Sequence, residues 1–283
     1  MRTSLIIVIA ALVAGEAAAQ PTESDFFNDT ILQVEKSVDL VQDYGVIATD
    51  DNDDSTLLQR AINELAKLPQ GGKIFLPAGR YHLIDIELKD NVHLVMDQAA
   101  IIIPTEPAGF IFKLGLDRKG PDALVEINNV SIRGNGGRFT VDLTSGAVNE
   151  KLAFAFCKNV NNFLIADFQV LDNYTKLSSV TVNLAEHDGK FFRARNGVIK
   201  NGDVKHAHCG YGLIQVQLGR HLLFKNLSGQ GGVTLRLESG AVTNSPPEMN
   251  IDDVYGFNIS NRDGSSAFIM GAHVKVHGQV HIE

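Results

Sequence analysis

Six short apolar runs, each opening behind an asparagine or another turn former, recur along this chain. They run from Asn91 to Leu94, Asn129 to Ile132, Asn162 to Ile165, Asn196 to Ile199, His221 to Phe224 and Tyr255 to Ile259. Their starts lie 25 to 38 residues apart, as expected when each run is one rung of a coiled solenoid whose loops vary in length. A β-sandwich also strings short strands between turns. Two features favour the solenoid. A turn-forming asparagine followed by β-branched residues returns at corresponding places, which stacks like on like in successive coils, and a single helix precedes all the strands. The expected fold is all-β, a right-handed parallel β-helix with an N-terminal capping α-helix. With 26 Gly, 15 Phe, 8 Pro and no Trp, and apolar runs rich in Val, Ile and Phe, the composition agrees.

The helix is read over Thr56 to Leu68, where Leu58, Ala61, Ile62, Leu65 and Ala66 recur at helical spacing behind Asp54 or Ser55 as N-cap. The preceding run Asp50-Asp51-Asn52-Asp53-Asp54-Ser55 lacks the glycine and closing Glu of a calcium loop, so capping explains it. An amphipathic helix here would cover the open pairing edge of the first coil. Gly71 to Tyr81 then reads as turn, strand, turn, strand.

Residues 1–19 carry one basic residue, Arg2, an apolar run from Leu5 to Val13, and Ala17, Ala18 and Ala19 before Gln20. That is the pattern of a cleaved secretory signal peptide, and the run is too short to span a bilayer. Residues 20–283 read as a single β-helix domain, with no Pro- or Gly/Ser-rich linker. The alternation from Val274 to Ile282 reads as a strand. No cap is evident after it, so the expectation is that a partner covers this end or that the chain is truncated there.

Net charge is −8, which argues against a nucleic-acid partner; a membrane partner is not expected, and the chain reads as a monomer. Charge is uneven: ten acidic residues and one Lys lie between Gln20 and Asp54, whereas His187 to His208 holds Lys190, Arg193, Arg195, Lys200 and Lys205 against two aspartates. That window is either an ordinary solvated face or a cleft for sulfate or carboxylate groups. Cys157 and Cys209 read first as unpaired thiols, with a single bridge as the alternative.

On alternate positions, Gly210 to Gln217 sets Gln215 and Gln217 on one strand face and Ile214 and Val216 on the other. Val233 to Glu238 likewise sets Thr234, Arg236 and Glu238 opposite Val233, Leu235 and Leu237. Glu238 is either a surface ion pair with Arg236 or a reactive carboxylate, with Gln215 on the coil before it and His273 on the coil after. The strings Arg193-Ala194-Arg195-Asn196-Gly197-Val198-Ile199, Gly210-Tyr211-Gly212-Leu213-Ile214-Gln215 and Gly231-Gly232-Val233-Thr234-Leu235-Arg236-Leu237-Glu238 resemble the central block of the iota-carrageenase family of glycoside hydrolases. Asp43 to His82 also resembles that family, in a way shared by many β-helix enzymes.

The resemblance implies a secreted enzyme cutting the β-1,4 bonds of a sulfated galactan with inversion. It puts the general acid on Glu238, a water- or ion-positioning residue on Gln215 and an active-site histidine on His273. Arg193, Arg195, Lys200, Arg236, Gln217 and Tyr211 become candidates for substrate contact, the cations through charge-assisted bonds to sulfate. No cofactor is required, though structural calcium, sodium or chloride is compatible with the reading. The resemblance implies an Asp base two residues after the acid, a spacing that suits an inverting pair, whose carboxylates lie about 6.5–9.5 Å apart. That position is Gly240, so the alternatives are another carboxylate, such as Asp252, Asp253 or Asp263, or management of the water by Gln215 and His273 between them. A noncatalytic carrageenan-binding relative and a β-helix polysaccharide lyase are the rival readings.

Overall fold

The recurring asparagines are where the backbone turns. Asn91, Asn129, Asn162 and Asn196 all adopt left-handed conformations, with φ between 54° and 59°, a region in which a short amide side chain is tolerated better than most. His221 and Asp253 occupy the equivalent place with φ of 56° and 55°. The sixth rung therefore opens at Asp253, two residues before the expected Tyr255, and Asp253 is invisible to an asparagine search. Amides in successive coils bond to one another: Asn129 Nδ2 donates to Asn91 Oδ1 at 2.8 Å, and Asn162 Nδ2 to Asn129 Oδ1 at 2.8 Å. A second ladder runs Asn258, Asn226, Asn201, Asp167 at 2.9, 2.9 and 2.7 Å.

The structure, a computed structural model, describes residues 20–117, 124–242 and 244–283; the signal-peptide reading of residues 1–19 lies outside them. Seventeen parallel strands form one curled sheet with three faces, wound as a right-handed parallel β-helix. Inward side chains stack in files. On the first face Ile74, Leu94, Ile132, Ile165, Ile199 and Phe224 lie in register. Tyr81, Ile102, Val141, Val170 and Val204 do so on the second. Phe112, Ala155, Val180, Ile214, Leu235 and Phe268 do so on the third. Nearly all of these are fully buried in one continuous core, so each coil buries its apolar face only because the next one stacks on it.

Among the described residues there are three α-helices: α1 (Glu23–Phe26), α2 (Leu40–Tyr44) and α3 (Ser55–Leu65). The last is the expected helix, ending three residues early, and its Leu58, Ala61, Ile62 and Leu65 are buried against the first coil. Asp54 is its N-cap residue, but the side chain accepts from His82 N at 3.1 Å instead of capping. The acidic lead-in is not a loose tail. Residues 22–30 lie as a strap along the outside of the first face: Phe26 stacks on His221 at 4.4 Å, Asn28 exchanges bonds with Asn162, and Asp29 pairs with Arg133 at 2.7 and 3.0 Å. At the other end of the chain only Val280–Ile282 forms a strand, beside Val254–Gly256. Val274 and Val276 are exposed, in a turn segment where the alternating pattern had predicted strand. Cys157 is buried and Cys209 exposed, and both are free thiols, so the bridge does not form.

Where the strap ends, Thr30 Oγ1 meets His93 Nε2 at 3.2 Å, and His93 Nδ1 meets Ser131 Oγ at 2.9 Å. Burial first, and Arg133 second, push the His93 pKa down to about 4 against the opposing pull of Asp29. Between pH 6.5 and 4 the unfolded chain binds a proton that the folded chain refuses, so stability is complete above that window and falls as pH drops through it. The linkage is worth about 3 kcal/mol at its limit. Urea unfolding of the wild type should therefore weaken more than that of His93→Gln on acidification through this window. Parallel pH profiles for the two would rule the account out.

Candidate active site on the third face

Outward positions on the third face form files across the coils, as the inward ones do. Phe156, Thr181, Gln215, Arg236 and Ile269 are in register in one file, and Glu238 pairs with Gly271 in the next. The alternation is as read: Ile214, Val216, Leu235 and Leu237 point into the core, fully buried. Thr234 departs from it. It is buried at the turn, its hydroxyl donating to Ser260 O at 2.7 Å.

Glu238 sits at the last position of its strand with a side chain 20% exposed. Oε2 accepts from Arg236 and Oε1 faces His273 Nε2 at 2.9 Å. His273 reaches it from the following coil on a left-handed residue, φ 48°. Arg236 also donates to the carbonyl of Gly210 and lies over the Tyr211 ring, 6.0 Å from its centroid. Burial raises the carboxyl pKa, but bonds and charge from Arg236 and His273 more than offset this, so its net pKa lies below the ordinary value. Gln215, nearly buried, stands beside Arg236 in register. Two buried oxygens near it, Thr181 Oγ1 and Gln217 Oε1, have no partner.

The expected base position differs from expectation in more than residue type. The strand ends at Glu238, and Gly240 opens a 3₁₀ turn, Gly240–Val242, so positions 238 and 240 are not successive outward residues of one strand. A Cβ at 240 would lie 2.8 Å from His273 Nε2; a side chain there would enter the space the imidazole now fills. The alternative carboxylates are elsewhere. Asp252 contacts Arg220 and Asp253 contacts His221, both on the first face, and Asp263 pairs with Arg262 at an exposed turn.

The basic window also separates. Arg193 donates to Asn250 O and Oδ1 at 2.6 and 2.7 Å, Arg195 grips Glu126 at 2.9 and 3.1 Å, and Lys200 meets Glu23 of the strap at 2.5 Å. These expected sulfate contacts are held by partners of their own away from Glu238. The reason is geometric. A window of this length takes in most of one coil, so its charges point to different faces. What the structure brings together is Glu238, His273, Arg236, Gln215, Gln217 and Tyr211. Sequence reading missed the aromatic cleft beside them, formed by Tyr174, His206 and His208. Its signal was slight: two histidines two residues apart, just before Gly210.

Among the described residues no cluster of three or more His, Cys, Asp or Glu is arranged to hold a metal ion. No helix there is long and apolar enough to cross a membrane.

Residues 40–245 match the family described as rhamnogalacturonase A/epimerase, pectate lyase-like. An iota-carrageenase of Alteromonas macleodii is 32% identical over 88% of this chain and 50% of its own length; one of Zobellia galactanivorans is 36% identical over 86% and 49%. The chain thus spans about half the length of these curated relatives. A solved iota-carrageenase complexed to iota-carrageenan fragments superposes with a TM-score of 0.87 at 32% identity, covering 94% of this chain and 57% of that one. The iota-carrageenase of A. fortis gives 0.88 at 31%, covering 95% and 59%. A match over 206 consecutive residues, together with a shared fold across nearly the whole described chain, is decisive: the chain belongs to the rhamnogalacturonase A/epimerase, pectate lyase-like family, and the relatives it resembles along most of its length are iota-carrageenases.

Proposed function

We propose that this chain is a secreted glycoside hydrolase that cleaves β-1,4 linkages of iota-carrageenan with inversion, acting as a monomer. The observation that carries the reading is the Glu238–Arg236–His273 cluster at the end of a strand on an outward face, in a chain similar to iota-carrageenases. The resting carboxyl is ionised, whereas a general acid must carry a proton. In this reading a sulfate ester of the substrate takes the Arg236 guanidinium, a pairing well suited to that group. Glu238, freed of the adjacent cation and more deeply covered by sugar, then holds a proton and gives it to the leaving oxygen. Gln215 and His273 place the attacking water, with Gln217 beside them, and the proton that the water loses passes to solvent in the space left by Gly240. No step draws on a cofactor; bound calcium, sodium or chloride would serve the scaffold or the water.

Gly240 favours a second reading, a carrageenan-binding protein with little hydrolysis, because general-base catalysis is typically worth about 10²–10⁴-fold. Reducing-end release from iota-, kappa- and lambda-carrageenan, with absorbance of unsaturated products followed in parallel, separates the alternatives. New reducing ends from iota-carrageenan without that absorbance are expected. Ultraviolet-absorbing products would establish a lyase, and binding without any release would establish the binder.

A further inference from the structure

Beside the Glu238 cluster, at the turn between the second and third faces, lies a cleft of about 500 Å³ that includes Tyr174, His206, His208, Cys209 and Gln230. Its rim is aromatic and solvent-facing. Tyr174 is 48% exposed, and its ring stacks on His206 with centroids 6.3 Å apart and planes 26° from parallel. Both residues hold left-handed backbones, φ 56° and 59°, a conformation that costs a bulky side chain energy and persists only where the surroundings enforce it. The enforcement is visible. Tyr174 N donates to His206 O at 3.1 Å, Asn149 N donates to Tyr174 O at 3.1 Å, and the Asp172 carboxylate accepts from the amides of Asn173 and Thr175 on either side. Gly232 (φ 49°) lets the floor close up: a Cβ there would lie 2.2 Å from Tyr211 O.

The cleft adjoins cations on one side and the site on the other. Gln230 also lines a neighbouring groove with Lys205 and Arg262. Asp263 stands against Arg262 at 3.7 Å, the one carboxylate on the cleft wall itself. Toward the third face, the His208 ring meets Tyr211 edge-on at 5.6 Å, and Tyr211 carries Arg236, which binds Glu238.

From this juxtaposition we infer that the cleft is a further binding subsite for a sulfated galactan chain, with a sugar ring laid on the Tyr174–His206 stack and its sulfates directed to Lys205, Arg262 and His208. The inference rests on the proposed substrate class. A rigid aromatic pair offers a sugar face a large contact at small entropic cost, and the cations supply charge-assisted bonds to sulfate. A polymer seated there is continuous with one at Glu238 across the Gly210–Tyr211 wall. The subsite therefore holds long chains and leaves the bond-breaking residues untouched.

Cys209 provides the test, being the exposed thiol inside the cleft, whereas Cys157 is fully buried with its thiol pKa pushed up by desolvation. Alkylation of Cys209 by iodoacetamide is followed with Glu238→Gln, so that iota-carrageenan oligosaccharide is not consumed, and overall binding is read separately by retardation in carrageenan-containing gels. At ten times the dissociation constant, alkylation should slow about tenfold. A desulfated galactan should give no slowing, and adding Tyr174→Ala and His206→Ala should abolish protection while leaving the ligand-free alkylation rate and thermal midpoint unchanged. Gel retardation with no protection of Cys209 would overturn the subsite and leave the substrate class standing. Absence of retardation would overturn both. Equal protection by the desulfated galactan would overturn the assignment of sulfate to Lys205, Arg262 and His208.

Discussion

Glu238→Gln should lower reducing-end release from iota-carrageenan by about 10²–10⁴-fold while leaving binding in carrageenan gels nearly intact, the loss typical of removing a positioned proton donor. Glutamine keeps the shape, its oxygen accepting from Arg236 and its NH2 donating to the Nε2 of a neutral His273, so packing at the strand end survives; what disappears is the proton. The stability effect should be small and of predictable sign. Because the folded-state pKa of Glu238 is lowered, its ionised form stabilises the fold above the unfolded carboxyl pKa, and that contribution is lost as pH falls through the folded value. The wild-type advantage over the variant should be seen at neutral pH and shrink in acid. Full activity in the variant would remove Glu238 from the chemistry and leave the cluster as an ion-paired strand end.

The second large effect runs the other way. Gly240→Asp should raise kcat, by up to about 10²–10⁴-fold if the added carboxylate becomes the base that the proposed inverting reaction needs. The structure states the condition. A Cβ at 240 falls 2.8 Å from His273 Nε2, so the imidazole must swing aside. His273 can do so: its side chain is 42% exposed, and its contact to Glu238 is a single hydrogen bond. An aspartate would then face both the vacated space and the displaced ring. Gly240→Ala is the control, because it moves the ring without adding a carboxylate. A rise with Asp and none with Ala identifies a missing base; equal falls in both would mean that His273 in its present place is needed to position the water. The 3₁₀ turn places no left-handed demand on residue 240, whose φ is not among the positive values, so neither substitution is opposed by the backbone.

The charge pattern shows how an inference from sequence windows goes astray in this architecture. Arg195 and Lys200 were grouped with Arg193 as a basic patch, but Glu126 and Glu23 neutralise them on the first face. The acidic lead-in and the basic window, each conspicuous alone, are partly the two halves of one interface between strap and sheet. Glu23 lies 177 residues from Lys200 in sequence, and no local pattern announces such a pairing. Tyr174 escaped notice for a related reason: it lies in no conspicuous motif, and it meets His206 of the basic window only because two coils stack in register.

What the sequence by itself determined is the coil and its faces. Periodic turns followed by β-branched runs favour a solenoid over a sandwich, and strict alternation through Ile214–Gln217 and Leu235–Glu238 decides which side chains are core and which look outward, because a strand has a period of two. Glu238 as an outward carboxylate was legible in that way, and so was Arg236 beside it. Tertiary structure decided everything that depends on which coil lies against which and where a strand stops. It brought His273 to Glu238 across 35 residues, ended the strand so that Gly240 leaves the file it was expected to continue, and sent the basic window's charges to separate faces. These are matters of register between coils, set by loop lengths and by packing over long separations, and a chain's local pattern carries no record of them.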